Sequence, residues 1–212
     1  MVAKIAENEY PEILDLLEHK INQKIQILVF SDVTDENQSN IGMDELLYNE
    51  SDLVPIHQNK VFVHYTGDQL ELRRKVREGM CGILIQDMYF GGGLDVSLQV
   101  NYAKKLPRWY LDGMISFAGS EWNADKDNAF RKYYEEKGEL NFKKMSRDYP
   151  VLAGHSFWYY LASTYSKNVI PNLLYLTKIN RDLEDAFDFV FGVELDQMIV
   201  QWQRFFESIY AA

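Results

Sequence analysis

Apolar positions Ile13, Leu14, Leu16, Leu17 and Ile21 recur at helical spacing, and Pro11 suits a first turn, so residues 10–21 are predicted to form a short amphipathic helix. The run at 24–30 (KIQILVF) is apolar and β-branched, and the polar stretch 32–40 follows it. That predicts a buried strand and then a long connection. Leu53, Val54 and Ile56, a turn at Gln58 and Asn59, and then Val61, Phe62 and Val63 predict a strand pair over 52–65. From Gly67 onward the period is helical. A long helix is expected over 68–90, closed by Gly91, Gly92 and Gly93, then a short one over 94–104 and one from Pro107 to 117. Further helices are expected over 124–137 (charged and exposed), 156–165 (aromatic), from Pro171, over 183–191 and over 194–210.

Strands precede helices, and no repeat, low-complexity tract or Pro/Ser-rich linker marks a boundary. The fold class expected is α+β: an α+β lobe over 1–93 packed on a helical lobe over 94–212, the two together forming one domain. At 212 residues and 47% hydrophobic, the chain is long enough to bury a full core. The formal charge of -10 works against phosphate backbones, so nucleic acid is not an expected partner, and a basic partner face is the easier one to accommodate. No run approaches the about 18 apolar residues of a membrane-spanning helix, so no direct membrane insertion is expected, and the first residues have no signal-peptide pattern. The single cysteine, Cys81, excludes an intramolecular disulfide and a Cys-rich zinc site.

Two helices carry the candidate chemistry: one with Val76-Arg77-Glu78-Gly79-Met80-Cys81, the other with Pro107-Arg108-Trp109-Tyr110-Leu111-Asp112-Gly113. In zinc peptidases two histidines four apart share a helix face, a neighbouring glutamate activates water, and a carboxylate from a later helix completes the site. Over most of its length the chain resembles the gluzincin-type peptidase family, whose second motif has the form Trp-aromatic-x-Glu-Gly. The strand pair, the long motif helix with its glycine stop, the Leu-Pro-Arg-Trp-Tyr-Leu-Asp-Gly helix start and the later Gly154-His155-Ser156-Phe157-Trp158 carry the resemblance. It is also similar to the domain that accompanies Tol-type β-propeller repeats in Bacteroidetes envelope proteins. That setting implies a zincin-like fold, a periplasmic or cell-envelope location, and a chain that starts partway into the fold of a larger protein.

On this resemblance Arg77 takes the first histidine position, Glu78 the general base, Cys81 the second histidine and Asp112 the third ligand, with Trp109, Tyr110 and His155 as neighbours. A guanidinium cannot ligate zinc, and one cysteine plus one aspartate fall short of three protein ligands. No metal or other cofactor is therefore expected. The chain reads as an inactive peptidase homologue that binds or scaffolds a protein or peptide, including other domains of its own polypeptide. The alternative is a metal-free hydrolase using Glu78 and Asp112 as a carboxylate pair. A third reading has the cleft filled by Met80, Met114 and Tyr110, with contacts made elsewhere. Arg77 either sits caged by Glu78 and Asp112 in place of the ion, or points to solvent with Arg73 and Arg74.

The remaining candidates have plainer readings. His19, His57, His64 and His155 lack helical metal spacing, though His57 and His64 could face each other across the hairpin. His155 reads as a buried hydrogen-bonding or helix-start residue, and Cys81 as an inert thiol with a raised pKa. The glycine triplet lacks the Lys-Ser/Thr ending of a phosphate loop. The aromatic residues of the second half read mostly as core, and the acidic run 182–188 as a helix with one wet face.

Overall fold

A computed structural model describes residues 1–31, 53–91 and 105–210. The polar connection 32–40, the helix expected over 94–104, and Gly92 and Gly93 lie outside the described residues. The elements in chain order are α1 (Val2–Leu17), β1 (Gln26–Phe30), β2 (Ile56–His57), β3 (Lys60–His64), α2 (Gln69–Phe90), α3 (Arg108–Gly119) and α4 (Ala124–Lys137). There follow α5 (Phe142–Asp148), α6 (Pro150–Tyr165), α7 (Val169–Asn180), α8 (Leu183–Phe191) and α9 (Leu195–Tyr210). The class is α+β, with a small mixed sheet and a helical majority.

The sheet order is β1-β3-β2: β3 runs parallel to β1 and antiparallel to β2. The buried strand is β3, whose Val61, Phe62 and Val63 are all but inaccessible. This corrects the expectation for β1, which among the described residues pairs on one side only and leaves Val29 42% exposed. An apolar run does not by itself distinguish a central strand from an edge. The hairpin turn falls where expected, with Gln58 at φ 54. Its register sets His57 against Lys60, so His57 and His64 do not face each other.

The first helix also departs from expectation. It begins at Val2, holds Pro11 in its interior and ends at Leu17, where Glu18 turns left-handed at φ 48. Pro11 lies on the exposed side, and Glu9, Ile13 and Leu17 form the buried stripe. A buried glutamate interrupts the apolar period, which hid the upstream half. Helix α2 starts where Asp68 accepts from the N–H groups of Leu70 and Glu71, and it ends at Gly91. Helix α6 opens at Pro150, six residues ahead of the expected start, with Pro supplying the first-turn φ. Helix α5 was not foreseen; Asn141 caps it, and Phe142 and Met145 anchor it.

One core of buried residues includes Ile13, the sheet, α2, α3 and α6 and extends to Phe206. Helices α3 and α6 touch backbone to backbone, since a Cβ on Gly154 would come within 1.8 Å of the Trp109 carbonyl oxygen. Trp158 Nε1 donates to the Tyr110 carbonyl at 2.8 Å across the same crossing. The aromatic wealth is largely core, as expected: Trp109 meets Phe142 and Phe157 edge-on, and Trp202 packs on Phe142 and Phe130. Helix α8 has the wet face its acidic run implies, with Phe187 buried and Phe189 76% exposed.

Candidate functional site

Helices α2 and α3 pack in antiparallel register. A Cβ on Gly119 would meet Glu78, and one on Gly82 would lie near Ile115, so α3 is traversed backwards as α2 advances. Asp112 is seven residues from Gly119 on a helix that rises about 1.5 Å per residue, and thus stands roughly 10 Å along α3 from the residue facing Glu78. The four positions implied by the resemblance lie on facing helices but do not converge on one point.

Each of those side chains has its own local partner. Arg77 is held by α1: Nη1 donates to Glu9 and, at 2.7 Å, to Glu12, while Nε donates to the Ala118 carbonyl at 3.1 Å. Its carboxylate cage is therefore built by Glu9 and Glu12, in place of Glu78 and Asp112. Its side chain is only 17% exposed, so it is not the solvent-facing residue that Arg73 is. Glu78 is 2% exposed, accepts from the Val54 N–H at 2.8 Å and pairs with Arg74 at 2.6 Å. Burial pushes its carboxyl above the usual glutamate range, against the opposing pull of Arg74 and the Val54 N–H. Asp112 pairs with Arg108 one turn earlier at 3.1 Å, and burial again moves its carboxyl upward despite that arginine. Cys81 is fully enclosed, and burial drives its thiol far above the range in which a thiolate forms.

Met80, Tyr110 and Met114 are all buried. Tyr110 lends its hydroxyl to Thr177 at 2.9 Å, and Trp109 sits in the aromatic core. His155 is buried and hydrogen-bonded as expected, but mid-helix and not at a helix start. Its Nδ1 meets Ser116 Oγ at 3.0 Å, and Lys126 Nζ donates to the same hydroxyl at 3.1 Å. An ammonium can only donate, so Ser116 accepts from Lys126, and its hydroxyl has both a proton and a second lone pair with which to meet Nδ1. Burial, aided by Lys126, holds the imidazole well below its usual range and keeps it neutral.

The open concavity lies at the other end of α2, with a volume of about 700 Å³. One side is formed by Arg73, Arg74 and Arg77, and the stacked pair Trp122 and Tyr159 (ring centroids 5.1 Å apart, planes 15° apart) adds an aromatic surface. Sequence reasoning did not single out Glu9, Glu12, Ser116 or Lys126, and it placed Trp122 and Tyr159 among aromatic residues read mostly as core, with a cleft or an interface as the lesser reading; of these six, Glu12, Trp122 and Tyr159 line the concavity. The i, i+4 pairs Arg74/Glu78 and Arg108/Asp112 were open to view, because such spacing places opposite charges on one helix face.

The residues present do not fit a catalytic zinc. One position holds a cation, one an enclosed thiol and one an ion-paired carboxylate about two turns away along its helix from the residue facing Glu78. Among the described residues no three His, Cys, Asp or Glu side chains gather as a ligand set. Also among the described residues, no helix is long and apolar enough to cross a membrane. No family model, curated protein or solved structure matches this chain.

Proposed function

We propose that this chain is a non-catalytic, zincin-like peptidase-type domain that binds a protein or peptide segment, or scaffolds neighbouring domains, in a cell-envelope protein. One observation carries the reading. Every side chain at a position where the resemblance implies metal chemistry is spent on internal structure, while the concavity beside them remains open. Arg77 fastens α1, Glu78 fastens the segment before β2, and Cys81 fills the core. The strand pair followed by a long motif helix and a second motif helix packed on it is the order that the resemblance implies, and it supports the zincin-like reading.

The alternative, a metal-free hydrolase using Glu78 and Asp112, draws support from the upward shift of both carboxyls. Against it stand their separation along α3 and the arginine beside each. Carboxylate-pair hydrolases place the two groups about 5–9.5 Å apart around a shared substrate, whereas here both carboxylates are buried, at 2% and 5% exposure.

The experiment is metal analysis of the purified chain by plasma mass spectrometry, coupled to hydrolysis assays on a mixed peptide library with and without added zinc. Neither stoichiometric zinc nor turnover is expected. Zinc bound one-to-one together with hydrolysis abolished by Glu78→Gln would sink the proposal. Zinc-independent hydrolysis lost in both Glu78→Gln and Asp112→Asn would establish the carboxylate-pair enzyme instead.

A further inference from the structure

A second pocket, of about 310 Å³, lies at the C-terminal end of α2 and gathers side chains from three separate stretches of chain. Gln23 comes from the segment before β1, Gln58 and Asn59 from the β2–β3 turn, and Gln86 and Asp87 from the end of α2. We propose that this pocket is a binding site for a neutral sugar unit. The proposal goes beyond the reading above, whose concavity is lined by the first half of α2 and shares no residue with this pocket.

The amides select the ligand. Among the described residues, the side chains of Gln23, Gln58 and Gln86 have no hydrogen-bond partner, and Asn59 commits only its Nδ2, to the Lys24 carbonyl at 2.7 Å. Exposed glutamines are solvated as a matter of course, but the Gln86 Oε1 is enclosed and unpartnered. A buried acceptor without a partner is costly, so such a group calls for a functional reason. The last torsion of a glutamine is broad and two-fold, so nothing prevents this amide from turning toward the pocket that it lines. A primary amide both donates and accepts, and several around one small space match a ligand whose groups also do both. A hydroxyl does so from a single atom, and a sugar ring carries a row of them. A peptide backbone sets its donors and acceptors along an extended chain, which needs a groove. This pocket stands at the small end of the range of about 300–1,000 Å³ for ligand sites.

Charge narrows the choice further. Asp87 is the one formal charge among the described lining residues, which disfavours phosphate and carboxylate ligands. Its Oδ2 already meets His19 Nε2 at 2.8 Å, so it is a poor counter-ion for an added cation. Its Oδ1 is left for a hydroxyl proton. A Cβ at Gly91 would lie 3.0 Å from that oxygen, so the glycine keeps the approach clear. Ile21, Ile83 and Phe90 supply apolar lining against which the C–H face of a sugar ring can pack.

The test is saturation-transfer NMR on the whole chain with glucose, galactose, mannose and N-acetylglucosamine, each at about 10 mM. The uronate and amino-sugar counterparts and acetyl-glutamine-amide serve as anionic, cationic and peptide-like comparisons. At least one neutral sugar should bind with millimolar affinity, the level that about a dozen heavy atoms can reach, and its charged counterparts about fivefold more weakly or worse. Gln23→Ala changes an exposed side chain, and Gln58→Asn keeps an amide and tolerates the left-handed turn at φ 54 while reaching less far. Each should weaken binding by about two- to tenfold without moving the melting temperature, whereas Arg73→Gln, in the concavity, should leave binding unchanged. No binding by any neutral sugar, a preference for a charged counterpart or for the glutamine amide, or full affinity in the doubly substituted Gln23→Ala/Gln58→Asn chain would overturn the inference. So would sugar binding that falls with Arg73→Gln, which would place the ligand in the concavity.

Discussion

At the scale of single residues, the motif positions that matter most to this molecule are the glycines. Gly113 and Gly154 both belong to the segments that carry the peptidase resemblance, and the structure gives each a packing reason. A Cβ on Gly113 would lie 2.3 Å from the Gly154 Cα, and one on Gly154 would run into the Trp109 carbonyl oxygen and the Gly113 Cα. These obstacles are backbone atoms and cannot swing aside, so Gly154→Ala must part α3 from α6. A loss of about 3 kcal/mol is expected, at the upper end of ordinary overpacking. Gly138→Ala is the matched control: its φ is +72 and nothing lies within 4 Å, so left-handed strain alone should cost about 1 kcal/mol. Urea denaturation of both variants checks this, and equal losses would mean that the helix crossing is looser than described. The sequence presented these glycines as parts of a motif. What it could not present was their partner, because a contact between residues forty apart leaves no local periodicity.

At the scale of elements, local signals carried well where a helix has a distinct cap. Asp68, Asn123 and Asp182 each accept backbone N–H groups at the start of a helix that was expected. Helix α1 was half hidden because its buried stripe includes Glu9, a charge that reads as a surface position until Arg73 and Arg77 are seen beside it. Arg77, expected to be either caged by α2 and α3 carboxylates or solvated, is instead the fastening between α1 and α2. Burial works to raise the Glu9 carboxyl, but the hydrogen bonds and charges of Arg77 and Arg73 together outweigh it and hold it below the usual glutamate range. Arg77→Gln would leave Glu9 with Arg73 alone and the Ala118 carbonyl without its guanidinium donor. The expected cost is about 2–3 kcal/mol, less than the full loss of a buried pair because one arginine remains. Native-state hydrogen exchange should show α1 amides opening faster while the buried amides of α6 keep their protection. Uniform acceleration across the chain would instead mean that Arg77 supports the whole core and not the docking of α1.

At the scale of the whole molecule, the α+β order and the division of labour between sheet and helices followed from patterning. The convergence of the site did not, because the antiparallel packing of α2 on α3 is a tertiary fact that sends Asp112 away from Glu78. Two titratable groups are buried on either side of α3, Glu78 from α2 and His155 from α6, and their responses to pH oppose each other. Glu78 has its folded pKa raised, so the folded state takes up its proton before the unfolded state does. Its favourable contribution is complete below the unfolded value, near 4.5, and is lost as pH rises through the folded value. His155 has its folded pKa lowered, so the unfolded state takes its proton first. Its contribution is present above about 6.5 and is lost as pH falls toward the folded value. Between pH 6.5 and 4.5 the two trends offset one another in the native chain, and removing one should expose the other. Relative to the native chain, Glu78→Gln should lose ground as pH falls toward 4.5, because the native carboxyl then gains its proton while the amide gains nothing. His155→Asn, which cannot titrate, should gain ground over the same interval. Melting temperatures of the three proteins at half-unit steps from pH 4.5 to 8 check both slopes. A Glu78→Gln difference that stays flat or changes in the opposite sense would mean that Arg74 and the Val54 N–H outweigh burial, leaving Glu78 an ordinary ionised partner. The internal ion pair would then be the stabilising feature at this end of α2, and the case against a carboxylate acting as an acid there would become stronger.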